Sequence, residues 1–338
     1  MPRLLKSHWV TGAATVAAVL VVACGHDAAR PSASVDASSS NATPVAAPTA
    51  VPAAELAPPA AQTGGFDGAR AYDQVAKLVA FGPRPPASDA IRATQKYIHT
   101  QLQGFGCAVD EDDFTAQTPI GPMAMKNIVA RIPGTGQGII LLLTHYDTKR
   151  VDNFVGAEDG GSSTGVMLEM ARVLCGGPKQ PNAVWIAFLD GEETQATFEW
   201  SDTDSVYGSR ELAARLAVSG DIKRVRAVIL ADMVGQKDPH FPRESDSTKW
   251  LKDLVWSTAA RLGYKDVFVS QDEEVSDDHL PFLHRGVAAV DIIDLDDYTN
   301  QGNWHTASDT LDKISPRSLA ITGHVILESV NALQAKFR

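Results

Sequence analysis

The sequence predicts an α/β fold: a single domain with a central, mixed, mostly parallel β-sheet and helices on both faces. Three observations carry that reading. The runs Ile139–Leu143, Ala183–Leu189 and Val225–Ala231 are almost wholly apolar, as strands covered on both sides must be. Segments with apolar residues at helical spacing alternate with them. The 338 residues are 44% hydrophobic and 21% charged, enough apolar material for one large core.

In chain order, Phe66–Phe81 aligns Tyr72, Val75, Leu78 and Val79 as a helical stripe, stopped by Pro83, Pro85 and Pro86. Ser88 or Asp89 can cap a second helix with Ile91, Tyr97, Ile98 and Leu102 on one side. Ala108–Ala116 and Met123–Ile132 read as strands of modest hydrophobicity. Then follow strand Ile139–Leu143, helix Gly165–Leu174, strand Ala183–Leu189, helix Ser209–Val218, strand Val225–Ala231, helix Lys249–Leu262 and strand Val287–Ile293. Ser315 as cap and Pro316 at the first helical position open a last helix through Leu319–Ala335.

The N-terminus reads as an address. Arg3 and Lys6 precede an uncharged apolar run from Trp9 to Val22, short of the ~20 apolar residues of a membrane span. Val21-Val22-Ala23-Cys24 resembles a bacterial lipobox, in which Cys24 is acylated and becomes the new N-terminus. Residues 1–23 are thus expected to be a signal peptide. Residues 24–64, rich in Ala, Pro and Ser, carry too little apolar surface to offset their ordering entropy and read as a tether. The folded domain is expected over 65–338, exported and lipid-anchored at the periplasmic face.

Thirty Lys+Arg against 41 Asp+Glu give a net charge of −11. That balance argues against nucleic acid as a partner and against a polybasic surface on anionic lipid. Membrane contact is expected only through the anchor, and the protein is expected to be a monomer. Three Cys exclude a disulfide-dense scaffold or a Cys-rich zinc module.

In open α/β sheets ligands bind beyond the carboxyl ends of the strands. Those ends carry His145-Tyr146-Asp147, then Asp190, Glu192 and Glu193, then Asp232. Between the first two, Gly156–Gly161 brings Glu158 and Asp159. Later loops bring Asp277-Asp278-His279 and Trp304-His305. Clustered carboxylates repel one another and call for a cation. Zinc suits a mixed imidazole and carboxylate set better than calcium or magnesium. Glu192 and Glu193 diverge from one strand end, so one can ligate while the other acts as general acid/base.

The order His145-Tyr146-Asp147, Asp159, Asp190-Gly191-Glu192-Glu193, Asp232, His305-Thr306 resembles the M28 zinc aminopeptidases and the animal-type glutaminyl-peptide cyclotransferases of the same fold. Asp204–Arg210, Asp277–Leu283 and Trp304-His305-Thr306 resemble the cyclotransferases more closely. The resemblance covers most of the chain from about residue 70. It implies one zinc per chain held by Asp159, Glu193 and His305, with Glu192 as general acid/base. It also implies that Asp232 and Asp277 form an acidic network, and that Trp200 and Trp304 wall the pocket. The substrate it implies is a peptide or protein with N-terminal Gln, cyclised to pyroglutamate with loss of ammonia. Two extra residues separate Glu193 from Trp200, and the acidic loop Asp294–Asn303 departs from the family. The positions of the animal enzymes' disulfide fall on Thr144 and Thr164, so Cys107 and Cys175 are expected to be free. The rival reading is a two-zinc aminopeptidase in which His145 and Asp232 bind a second ion and Asp159 bridges. A silent binding lipoprotein would need a broken ligand shell, and no ligand is missing.

Overall fold

The computed structural model describes residues 55–338. The signal segment expected over 1–23, Cys24 and most of the tether expected over 24–64 lie outside the described residues. Ahead of the expected boundary at Gly65, Ala60–Gln62 forms a short 3-10 turn and Thr63 is buried.

Six strands form the main sheet, in the order β1 (Ala108–Thr118), β2 (Gly121–Ile132), β4 (Ala183–Leu189), β3 (Ile139–His145), β5 (Val225–Ala231), β8 (Ala289–Ile292). β1, β2 and β4 pair antiparallel; β4, β3, β5 and β8 pair parallel. The mixed, mostly parallel sheet is the expected one. Strand alternation divides the core. Ile140 and Leu142 of β3 face a layer that includes α1 (Gly68–Val79), α2 (Asp89–Gly104), α3 (Ser163–Cys175), α5 (Lys249–Arg261) and α8 (Pro316–Lys336). Ile139, Leu141 and Leu143 face α4 (Tyr207–Ser219) and α6 (Leu280–Leu283). Every residue of β3 and β4 is buried, which is why both runs lack polar alternation. Each fully buried aliphatic side chain contributes ~1.5–3 kcal/mol.

Local signals set the helix ends. Asp67 accepts from the backbone N–H of Ala69 and Arg70 and caps α1. At α2 the cap is Ser88, accepting from Ile91 at 3.0 Å. Ser315 caps α8, with Pro316 at its first position. Three features lay beyond the sequence reading. β6 (Phe241–Glu244) and β7 (Phe268–Glu273) form a separate two-stranded parallel sheet. The short helix α6 follows Asp277–His279, and α7 (Leu295–Asn300) occupies the acidic loop.

One expectation is overturned. Cys107 and Cys175 are joined as a disulfide, with Cα atoms 5.3 Å apart across 68 residues. The turn after α2 and the C-terminus of α3 pack on the same core face, and that juxtaposition is invisible in the spacing. At the positions of the animal bridge, Thr144 donates to Ser163 Oγ at 2.8 Å and Thr164 donates to the His145 carbonyl at 2.8 Å.

Candidate metal centre and pocket

Because β4, β3 and β5 are neighbours, their carboxyl ends present Glu192-Glu193, His145 and Asp232 side by side. Asp159 comes from the loop between β3 and α3, and its placement is heavily determined. Gly156 (φ 51°) and Gly160 (φ 74°) take left-handed turns around it. A Cβ on Gly156 would lie 2.4 Å from the Asp159 carbonyl. The fully buried Arg84 donates to the carbonyls of Val155 (2.5 Å), Gly156 (3.0 Å) and Tyr146 (3.2 Å). From the other side, the Asp309 carboxylate accepts from the backbone N–H of Ala157, Glu158 and Asp159 at 2.8–3.1 Å, and from the Tyr298 hydroxyl at 2.6 Å. Neither Arg84 nor Asp309 stands out in the sequence, since a buried charge is recognised by its tertiary partners.

The expected ligands converge. Asp159, Glu193 and His305 are buried and offer atoms within 4.8 Å of one another. His305 Nε2 lies 3.2 Å from Asp159 Oδ2 and 3.1 Å from Glu193 Oε1. Both carboxylate oxygens are buried without a hydrogen-bond donor. Two buried carboxylate oxygens without a hydrogen-bond donor, facing an imidazole nitrogen, make a compact N/O donor set of the kind zinc takes, so these residues fit zinc. His305 itself has a left-handed backbone, φ 53°, a strained conformation that aims its ring. Trp304 stacks on that ring at 3.9 Å, and Phe154 meets it edge-on at 5.6 Å. The buried Lys149 ammonium holds the other Glu193 oxygen at 3.3 Å and Thr194 Oγ1 at 2.5 Å.

A second triad shares Asp159. His145 Nε2 lies 3.3 Å from Asp159 Oδ1 and 3.0 Å from Asp232 Oδ1. The residues required by the two-metal alternative are therefore also assembled.

Glu192 points into the pocket instead. Asp147 accepts from the backbone N–H of Glu192 (3.1 Å) and of Glu193 (3.4 Å), pinning the pair at the strand end. Burial, then the neighbouring Glu193, hold the Glu192 carboxyl well above the usual carboxylate range. Asp277 is likewise raised by burial and then by Asp232, and its Oδ2 has no partner.

Asp159, Glu192, Glu193, Asp232, Asp277, Trp200, Trp304 and His305 all line one narrow cavity of about 80 Å³. Their contributions differ. Trp200 sits at the rim, 37% exposed, bonded to Asp202. Phe198, on the same lengthened loop, is itself 52% exposed and lies across the mouth, its ring 5.4 Å from His305 and 6.1 Å from Trp304. Phe198 and Lys149 are pocket residues the sequence reading missed. The two-residue insertion before Trp200 was the available signal for the first.

Comparison with known proteins agrees with this geometry. The profile of Peptidase family M28 matches residues 127–330. A "Glutaminyl-peptide cyclotransferase-like protein" of Mus musculus is 33% identical over 267 residues, 69% of this chain and 67% of its own. The crystal structure of an Acidobacteriales bacterium glutaminyl cyclase superposes with a TM-score of 0.76 at 40% identity, covering 80% of this chain and 96% of that one. A Zn-dependent exopeptidase from Parabacteroides distasonis superposes at 0.72 with 28% identity, over 78% and 98%. A profile match across more than half the chain, joined to a third of identical residues over two thirds of the mouse relative, means that the protein belongs to peptidase family M28 and, within it, to the glutaminyl-peptide cyclotransferases.

Proposed function

We propose that this chain is a zinc-dependent glutaminyl-peptide cyclotransferase with one zinc per chain, held by Asp159, Glu193 and His305. It acts on peptides or proteins with N-terminal Gln, outside the cytoplasm, tethered through an acylated Cys24. When bound, the zinc supplies a Lewis acid for the side-chain amide carbonyl. The α-amine and the amide belong to one residue, so the reaction is intramolecular and positioning dominates its barrier. Glu192 takes a proton from the α-ammonium. The freed amine forms a C–N bond to the side-chain amide carbon, closing a five-membered lactam. The attacking nitrogen gives up one of its two remaining protons to solvent as the bond from that carbon to the amide nitrogen breaks, Glu192 returns its proton to the departing nitrogen, and ammonia leaves. A carboxyl raised by burial suits such a shuttle. Asp277, neutral beside Asp232, is placed to hydrogen-bond the leaving nitrogen. Phe198 and Trp304 flank a space the size of one small amide side chain.

The observation that carries this reading is Asp277: a carboxyl buried inside the pocket, raised by burial and then by the charge of Asp232, with an Oδ2 that has no hydrogen-bond partner among the described residues and is left for the substrate amide. The hydrolytic alternative draws support from the His145–Asp159–Asp232 triad. A Gln-initiated peptide amide separates the two. Cyclisation yields ammonia and a product lighter by one ammonia; release of free Gln, or two tightly held zincs per chain, makes the enzyme an aminopeptidase.

A further inference from the structure

At the end of the sheet away from the pocket, two open clefts adjoin at the N-terminal ends of the parallel strands, sharing Arg226 and Phe337. A seven-residue strand separates the two ends of the sheet by roughly 20 Å. The larger cleft, about 680 Å³, is lined by Lys223, Arg226, Arg285 and Lys336; the other adds Lys179 and Arg338. All six cations are exposed. No Asp or Glu lines either cleft, in a chain where acids outnumber bases 41 to 30. The nearby Asp221 is engaged by Arg224. Among the described residues, none of the six forms an ion pair with a carboxylate side chain.

The C-terminus of α8 accounts for a cation at Lys336. It does not account for Lys179 on a loop, Lys223 on a turn or Arg226 on β5. Beside them Trp250 is 36% exposed, meets Phe337 edge-on at 6.0 Å and carries the Lys336 ammonium 5.0 Å over its ring. An indole among cations is the composition of a surface seated at a lipid headgroup layer.

We propose that this basic pole rests on an anionic bilayer, with lipid phosphates in the two clefts and Trp250 at the headgroup level. The net charge of −11, which argued against such a surface, is an average; the charge is distributed by pole. Residues 1–54, ahead of the described fold, would hold the domain close to a membrane if Cys24 is acylated as proposed, so even weak headgroup affinity would be met by high local concentration. Docked this way, the pocket at the opposite ends of the strands faces the aqueous side, open to peptide.

The test uses the chain from residue 24 onward, the form expected once residues 1–23 are removed, with Cys24→Ser so that neither the apolar run nor an acyl group holds it, sedimented with vesicles of phosphatidylglycerol and phosphatidylcholine or of phosphatidylcholine alone. Binding is expected to the anionic vesicles only, and to be lost at high salt. Lys223→Gln, Arg226→Gln and Arg285→Gln should each weaken it by roughly fivefold, with turnover of a Gln-initiated peptide unchanged as proof of folding. Equal binding to both vesicles overturns the proposal, as does a triple variant that binds like the parent. Displacement by millimolar inorganic phosphate would assign the clefts to a free anion and overturn it as well.

Discussion

Glu192 and Glu193 leave one strand end together and both line the cavity, and the difference lies in what each meets. Glu193 finds Lys149 and His305; Glu192 finds the pocket and other carboxylates. In the proposed reaction Glu192→Gln keeps the shape and the neighbouring ligand but removes the proton carrier. kcat should fall about 10²–10⁴-fold while zinc content, measured by metal analysis, stays at the parental level. His305→Ala removes one of three ligands and should lose the metal itself. At the wall, the ring distances rank Phe198 above Trp200. Phe198→Ala should raise KM for a Gln-initiated peptide several-fold, with Trp200→Ala the milder of the two. The reverse order, read from steady-state kinetics, would return the wall to Trp200.

At the scale of elements, the Cys107–Cys175 bridge ties the start of β1 to the end of α3, the helix that follows the Asp159 loop. Closing a loop of this length removes enough unfolded-state entropy to stabilise the domain by about 4 kcal/mol. Cys175→Ser should lower the denaturant midpoint accordingly while leaving kcat near the parental value, because the ligand loop is held separately by Arg84 and Asp309. The sequence exposes some elements and hides others for physical reasons. β3, β4 and β5 are legible because covering a strand on both faces leaves only apolar residues. β6 and β7 are not: only short stretches are buried, Pro242 interrupts the first, and Ser270 to Glu273 of the second are polar and mostly exposed. α7 buries only Tyr298 among acidic neighbours, so it has no stripe to read. The ligands and Glu192 are legible as carboxylates at the ends of buried strands. Phe198, Arg84 and Asp309 are not, because their roles depend on partners distant in sequence. The disulfide was hidden for the same reason.

Across the whole molecule, carboxylates are concentrated at one end of the sheet, and stability must respond to pH. Burial first, then the surrounding acids, push Asp278 up to about 7; burial and the acidic loop likewise push Glu273 to about 7 and Asp294 to about 6. In the unfolded chain these groups titrate near 4. Between the two values the folded form binds protons that the unfolded form has released, so stability is full below about pH 4 and is lost as pH rises through 6–7. Glu244 has the opposite sign. Despite burial, which raises it, the His279 ring 3.2 Å away and hydrogen bonds from the Asp246 N–H and Ser247 lower it to about 2, so its contribution is present above about pH 4.5 and is lost as pH falls towards 2. The two trends bracket an optimum near pH 4 for the metal-free protein, with Tm falling by several degrees on going to pH 8. Zinc binds only the folded chain and adds stability in proportion to the logarithm of its concentration over Kd. It prefers deprotonated ligands, so it should flatten the alkaline limb most. Scanning calorimetry of the metal-free and zinc-loaded protein from pH 3 to pH 8 checks this. A metal-free Tm that climbs steadily from pH 5 to pH 8 would mean that the acidic end of the sheet is not held together by protons.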